Sequence, residues 1–312
     1  MSDAHAKPPS RNDTLRHYVL GSQVIDVGKA APGLHIVATP IGNLGDITLR
    51  ALATLAGADL IACEDTRVTR KLLDRYGITT PLTPYHDHNA ASARPKLLHR
   101  LAEGAALALV SDAGTPLISD PGYKLVLAAQ EAEHTITALP GASAPLAALA
   151  VAGLPTDQFF FAGFLPPKAA ARRARIAELA RIPATLVLFE TGPRIASTLA
   201  DLAAVLGDRE AALCRELTKI HEEIRRVDLT TLAQASAADE IRGEIVLVVG
   251  PPTREAERPS ARETDALLRQ ALARLSLKDA VEEVASAIGL PRREIYQRAL
   301  ALAKEDHHGA AR

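Results

Sequence analysis

AALALVSDAGTPLISDPG, residues 105–122, is the stretch whose reading decides the fold. It opens as an unbroken apolar run and passes into a loop that holds Asp112, Gly114, Pro116, Asp120, Pro121 and Gly122. A continuous Leu/Val run bounded by Gly, Pro and Asp is the pattern of a strand buried on both faces. Open α/β sheets bind ligands just beyond the carboxyl ends of such strands. Residues 111–122 therefore mark a ligand edge.

Working outward from that junction, short apolar strands alternate with amphipathic helices from Leu34 onward, which predicts an α/β domain with a largely parallel sheet. LHIVATP (34–40) opens it and is followed by the loop IGNLGD and a helix in which Leu49, Leu52 and Leu55 recur at three-residue spacing. DLIACED (59–65) is the next strand, with acidic residues at its end. A helix over 66–76 stops at Gly77, and ITTPLTPYHDHNAAS reads as a turn leading to the helix before residue 105. Beyond the opening loop come a helix over 123–131, the strand HTITALP (134–140), the turn PGASA, and an Ala/Leu helix running to Gly153. A second domain then starts with QFFFAGFLP (158–166) and continues through strands TLVLFE (185–190), AALCREL (211–217) and GEIVLVVG (243–250). The expected boundaries are a flexible extension over 1–33, α/β domains over 34–153 and 154–250, a linker over 251–263 and a helical module over 264–312.

Composition bounds the function. A chain of 312 residues exceeds what one core usually holds. A net charge of −1 excludes a globally basic nucleic-acid wrapper, so a polyanion would have to be met by a local patch. Cys63 and Cys214 form no CxxC pair, which argues for a reducing, cytoplasmic setting and against structural zinc. The longest uncharged stretch, 138–155, is broken by Pro140, Gly141, Pro145 and Gly153 and does not read as a membrane span.

Several motifs can carry chemistry. TPIGNLGD and SDAGTPLISDPG can present backbone amides and carboxylates to a ligand, yet neither matches GxGxxG or a Walker A loop, which disfavours a dinucleotide or triphosphate cradle. CEDTRVTRK (63–71) puts Glu64 and Asp65 at a strand end, with Arg67, Arg70 and Lys71 at helical spacing behind them. This is a carboxylate beside phosphate-holding cations or a solvated, salt-bridged helix. HDHN (86–89) lacks a cysteine partner and reads as polar surface or substrate contact, with no metal expected. Lys168, Arg172 and Arg175 fall at i, i+4, i+7, with Arg173 beside them, as a cationic stripe. With Arg194, Arg215, Lys219 and Arg225 near strand ends or loops of the same domain, the stripe points to nucleic acid as a partner. In the tail LKDAVEEVASAIGLPRREIYQRALALAK (277–304), Ala285, Gly289 and Ile295 are spaced as in a helix-turn-helix, with Arg292, Arg293 and Arg298 on the second helix. The same spacing also serves a helical packing module.

In order, LHIVATPIGNLGDIT, LIACEDTRVTRKLL, PYHDHN, LVSDAGTPLISDPGYKLV, LPGASA, GLPTDQFFFAGFLPPK, LFETGPR, CRELTKIHEEI and RGEIVLVV resemble the ribosomal RNA small-subunit methyltransferase I family of the tetrapyrrole-methylase-like superfamily. The resemblance runs from about residue 34 to 250, and the tail is similar to that family's helix-turn-helix appendage. It implies a two-domain tetrapyrrole methylase-like α/β fold, a homodimer, and S-adenosylmethionine in the cleft. The implied reaction is methylation of a cytidine ribose 2′-hydroxyl in the decoding region of 16S ribosomal RNA, within the small ribosomal subunit. By the same resemblance, Pro40, Asp112 and Ile118 border the methionine and ribose of the cofactor. Ser143, Ala144, Phe189, Cys214, Glu244 and Ile245 enclose the rest. The family's ESPHR-like segment is ETGPR here, with Pro193 at the His position, and its PGPSA-like turn is PGASA.

A ribose hydroxyl must lose its proton to attack a sulfonium methyl, and a positioned side chain has to take it. The candidates are Asp65, His86, Glu64 and Asp87. Arg67, Arg70, Lys168, Arg172, Arg194, Arg215 and Lys219 are the candidate RNA contacts. Two other readings remain open at the level of sequence: a methylase of a porphyrin- or corrin-like macrocycle, since fold does not fix substrate, and a nucleic-acid-binding regulator acting through the tail.

Overall fold

A computed structural model describes residues 16–119, 122–238, 241–252, 261–288 and 290–309. Two compact units emerge, Met1–Ala177 with Thr185–Gly250 and Glu178–Ala184 with Pro251–Arg312.

The larger unit begins with a hairpin, β1 (Arg16–Leu20) and β2 (Gln23–Val27). Next come β3 (Gly33–Val37), α1 (Leu49–Gly57), β4 (Leu60–Cys63), α2 (Thr66–Arg75), β5 (Leu82–Pro84), α3 (Ala90–Ala102), β6 (Ala106–Val110), α4 (Tyr123–Glu131), β7 (Ile136–Leu139) and α5 (Ala144–Ala152). Strands β3 to β7 form one sheet in the order β5-β4-β6-β3-β7, parallel throughout. Its central strands are apolar except for His35 of β3, buried with its ring nitrogen 2.8 Å from the Ala31 carbonyl, because both faces are covered. Leu107 and Leu109 of β6 and Leu60 and Ala62 of β4 pack with α3 and α4, while Ala108, Val110, Ile61 and Cys63 face the core shared with α1 and α2.

The chain crosses at Gly153, in left-handed conformation after α5, into β8 (Phe159–Phe164), α6 (Ala169–Leu179), β9 (Thr185–Thr191), α7 (Gly192–Leu206), β10 (Glu210–Arg215), β11 (Glu223–Asp228), α8 (Leu229–Ala238) and β12 (Glu244–Val249). This second sheet has the order β11-β10-β12-β9-β8 and is antiparallel except where β8 lies beside β9. Helix α5 bears on it: Ala148, Leu149 and Ala152 share a buried cluster with Val187, Ala212, Cys214, Val246 and Val248. That cluster seats α5 and Ile41 against the second sheet. The smaller unit holds α9 (Ala261–Leu272), α10 (Leu277–Ile288) and α11 (Arg292–Gly309), which close on Leu268, Val281, Val284, Ile295 and Leu302. Gly289, the expected turn glycine, lies outside the described residues, as does most of the expected linker.

Three expectations change. Residues 1–33 were expected to be a flexible extension, but Arg16–Val27 is a docked hairpin. Tyr18 is buried in the α1/α2 core, the Val19 amide donates to the Tyr76 carbonyl (2.7 Å), and Arg16 donates to the Gly57 carbonyl and to Asp59 (2.8 Å). The stretch read as a turn before α3 contains β5, which pairs with β4 through only three residues, too short for periodicity to reveal. EIRRVD (223–228) is an edge strand whose charges hide it from an apolar-pattern reading and shield the sheet edge from pairing with other chains.

Asp59 anchors the hairpin. Burial opposes its ionisation, but donors from Arg16, the Ala106 amide and Lys29 outweigh it and hold the carboxyl at about 2, below the ordinary 3.8. A depressed carboxylate stabilises the fold above its unfolded value, and the contribution disappears as pH falls through the folded value. Asp59→Asn is expected to cost about 1–2 kcal/mol at neutral pH, after allowance for solvent screening. In urea unfolding, the gap between wild type and variant should narrow as pH falls from 3.8 to about 2.

Candidate functional site

The carboxyl ends of β3 to β7 lie along one edge, as parallel pairing requires. At the middle of that edge the strand order reverses: the chain leaves β3 toward β4 and β5, then returns through β6 and crosses β3 to reach β7. The loops after β3 and β6 meet there. Thr39 and Gly114 exchange backbone hydrogen bonds of 2.9 and 3.0 Å, an isolated bridge outside the sheet. Gly114 has φ +78°, a conformation that a side chain makes costly.

Below this bridge is a cavity of about 300 Å³. The first sheet contributes Ile41, Ala113, Gly114, Thr115, Ile118, Ser119 and the α5 N-terminus Ser143–Pro145. The second contributes Phe164, Phe189, Glu190, Thr191, Cys214, Leu217 and Glu244–Val246. Phe189 is the hinge of the aromatic wall, 5.0 Å from the Phe161 ring and 5.5 Å from Phe164. Glu190 is buried at 2% exposure and accepts from the Thr191 amide (2.9 Å) and the Thr198 hydroxyl (2.7 Å), with Arg194 at 3.2 Å. Among the described residues, four of the five non-glycine residues with positive φ belong to the two loops facing one another across the cavity: Leu117, Ser119, Glu216 and Thr218. Backbone strain concentrates where a site needs fixed geometry.

The loop after β3 also touches the loop at 216–219. The Asn43 amide donates to Thr218 Oγ1 (3.1 Å), and a Cβ on Gly42 would lie 2.5 Å from Lys219 Cγ. Only glycine lets the strands' loops approach this closely. On the far side Lys219 Nζ bridges Glu216 (3.0 Å) and Glu244 (2.9 Å), and the Glu244 amide donates to Glu216 (2.8 Å).

Of the residues expected at the cofactor, Ile118, Ser143, Ala144, Phe189, Cys214, Glu244 and Ile245 line the cavity, whereas Pro40 and Asp112 do not. Pro40 is buried beneath it, and its neighbour Ile41 reaches the wall instead. Asp112 accepts from the Asp65 amide (3.0 Å), tying the ends of β6 and β4 together. Asp120 lies outside the described residues. Phe164, Glu190, Thr191 and Leu217 were missed as wall residues. Their segments, FAGFLP, FETGPR and CREL, were legible as strand ends of the second domain, but nothing in them says which side chains turn inward.

The four base candidates come together at the ends of β4 and β5, where the Tyr85 amide donates to the Cys63 carbonyl (2.7 Å). Asp65 is the N-cap of α2, and the Arg67 side chain and amide hold its carboxyl at about 2. At that value it is a weak proton acceptor. His86 is half-buried, with its amide donating to Asn89 Oδ1 (2.9 Å) and its ring 6.0 Å from that of His88. Glu64 is half-buried and Asp87 exposed.

The cationic stripe is not a stripe. Arg172 is 6% exposed and its Nε donates to Asp201 (2.7 Å), because α6 turns that position onto α7. Arg173 binds the other oxygen of Asp201 (2.7 Å), leaving Lys168 exposed. Arg194 donates to the Leu165 carbonyl (2.6 Å), Arg215 to the Arg242 carbonyl (2.6 Å), and Arg225 to Glu223 (2.6 Å). Arg67 points outward, with 87% of its side chain exposed. In the helical unit Arg298 pairs with Asp265 and Arg292 with Glu282.

Residues 33–233 match the family Tetrapyrrole (Corrin/Porphyrin) Methylases, and residues 258–303 match the RsmI C-terminal HTH domain. A ribosomal RNA small subunit methyltransferase I from Mesorhizobium japonicum is 49% identical over 286 residues, spanning 91% of this chain and 97% of the relative. The one from Erythrobacter litoralis is 51% identical over 272 residues, spanning 87% and 96%. The chain belongs to the ribosomal RNA small subunit methyltransferase I family. Solved structures agree on the fold: cobalt precorrin-4 methyltransferase superposes with a TM-score of 0.54 at 19% identity, covering 70% of this chain and 94% of that one. A conserved protein from Aeropyrum pernix gives 0.56 at 18%, covering 89% and 98%. Membership makes the chain an S-adenosylmethionine-dependent methyltransferase.

Breaking a buried ion pair leaves the surviving charge uncompensated. Arg172→Ala is therefore expected to destabilise the protein by about 3–5 kcal/mol in denaturant unfolding. An exposed nucleic-acid contact at that position would lose almost no stability.

Proposed function

We propose that this protein transfers the methyl group of S-adenosylmethionine to the ribose 2′-hydroxyl of a cytidine in the decoding region of 16S ribosomal RNA, in the cytoplasm and as a homodimer acting on the small ribosomal subunit. The observation that carries the reading is a cavity at the reversal point of a parallel sheet, roofed by a second sheet. A row of titratable side chains stands on the same edge. The names of the relatives supply the substrate class.

The residues present fit the cofactor. The volume is at the small end of ligand pockets, and the walls are mainly apolar with a few polar groups, as a nucleoside with an amino-acid arm requires. Burial pushes the Cys214 thiol up to about 11, so the wall carries a neutral thiol and no thiolate to compete for an electrophilic methyl. When bound, the sulfonium supplies the activated methyl group.

The protein's own part is alignment and proton removal. Holding the acceptor oxygen in line is worth roughly 7–11 kcal/mol of the barrier. Thr115, Ser143 and the strained loops on either side give the cavity the rigidity this needs. Among the base candidates, His86 takes the hydroxyl proton, and Asp65, ionised and held by Arg67, fixes the start of α2 and the charge beside the ribose. Glu64 and Asp87 flank the acceptor. Arg67 and Lys168 meet RNA phosphates, with Arg70, Arg194, Arg215 and Lys219 as supporting charges nearer the cleft.

Mass spectrometry of small-subunit ribosomal RNA from cells lacking the protein should show one missing ribose methyl on a cytidine; an unchanged RNA sinks the proposal. In single-turnover assays His86→Ala should lose about 10²- to 10⁴-fold in rate, and Asp65→Asn a smaller factor accompanied by lower stability. Lys168→Ala should reduce the salt slope of RNA binding by about 0.7, and an unchanged slope removes it from the interface.

A further inference from the structure

We propose that the hairpin β1–β2 is a brace for the cavity loop Ile41–Asp46, and that Tyr76 is the positioning residue through which it acts. The inference rests on the reading of the cavity as the methyl-donor site. The hairpin precedes residues 33–233, so the methylase match gives it no role.

The brace is a continuous set of contacts. At its base, Arg16 bonds to the Gly57 carbonyl and to Asp59, which also accepts from the Ala106 amide at the start of β6 (2.9 Å). At its middle, the Val19 amide donates to the Tyr76 carbonyl (2.7 Å). Tyr76 is 7% exposed, packs in the same core as Tyr18, and its hydroxyl donates to the Leu44 carbonyl (2.6 Å). Leu44 belongs to the loop that carries Ile41 onto the cavity wall. One residue earlier, the Asn43 amide donates to Thr218 Oγ1, beside Leu217 of the opposite wall. The loop is thus pinned at two adjacent residues from opposite sides, Leu44 by Tyr76 and Asn43 by Thr218.

Fixing a residue's backbone costs roughly 1–2 kcal/mol. A loop already ordered does not incur that cost when the ligand binds, so preorganisation appears as affinity. Tyr76→Phe removes one hydroxyl and keeps the buried ring. The Leu44 carbonyl it frees is on an exposed residue that water can reach, so folding should be little affected.

Calorimetry of the full chain with S-adenosylhomocysteine, at a temperature where every variant is folded, tests the brace. Tyr76→Phe should weaken binding about 3- to 10-fold, the worth of one hydrogen bond, with the RNA KM unchanged. Arg16→Ala should weaken it in the same direction, and the double variant should fall short of the product of the two because both act through one path. Thr218→Val, at the exposed anchor, should weaken binding similarly and serves if Tyr76→Phe does not fold. Unchanged affinity in Tyr76→Phe or Thr218→Val overturns the proposal, as does a lowered melting temperature with affinity intact. Affinity lost in Tyr76→Phe but intact in Arg16→Ala refutes the hairpin's part. Failure of the wild type to bind S-adenosylhomocysteine overturns the methyl-donor reading instead, leaving the two failures distinguishable.

Discussion

The pair of backbone hydrogen bonds between Thr39 and Gly114 is the constraint on which the site depends. A parallel sheet leaves the loops after neighbouring strands on one edge, and where strand order reverses they diverge and open a crevice. Here the two loops at that point are tied before they diverge, so the crevice starts from a fixed origin. Gly114 makes this possible because its left-handed conformation carries no Cβ penalty. From that origin the loop through Leu117 and Ser119 runs over the cavity in strained conformations that only the surrounding contacts sustain.

The second sheet completes what the first begins. Its cavity-facing ends carry Phe164, Phe189, Cys214 and Glu244, and its own strained loop, with Glu216 and Thr218, reaches back to Gly42 and Asn43. Helix α5, which follows the last strand of the first sheet, packs its length on the second and sets its N-terminus on the cavity. Packing that stabilises the fold and geometry that shapes the site therefore come from the same residues. Cys214 shows the coupling: the burial that packs it in the shared cluster also keeps its thiol protonated in the cavity wall.

The allocation of charge follows a similar economy. Asp201 gathers Arg172 and Arg173, Glu216 and Glu244 gather Lys219, and Asp65 gathers Arg67. Surface pairs of this kind contribute little stability, while the Arg172–Asp201 pair is buried and structural. Cations that look alike in sequence thus divide into those that hold helices together and those that remain on the surface.

Much of this was legible in the chain itself. Continuous apolar runs bounded by Gly and Pro specified a buried parallel sheet, the loop that starts at residue 111 does border a cavity, and seven of the nine residues expected at the cofactor line that cavity. These features are local: a strand's period and a loop's glycines act over a few residues. Side-chain direction at α6, the partner of Asp112, the edge strand over 223–228 and the docking of the hairpin at Arg16–Val27 are decided by contacts across tens of residues in sequence. HYVLGSQVIDV carries the alternation and turn of a hairpin, but Gly57, Asp59 and Tyr76, brought near by the packing of α1 and α2, give it a place to bind. Sequence by itself determined which edge of the sheet carries the cavity loops. Tertiary structure decided which side chains reach it, because reach depends on which neighbours already claim each polar group.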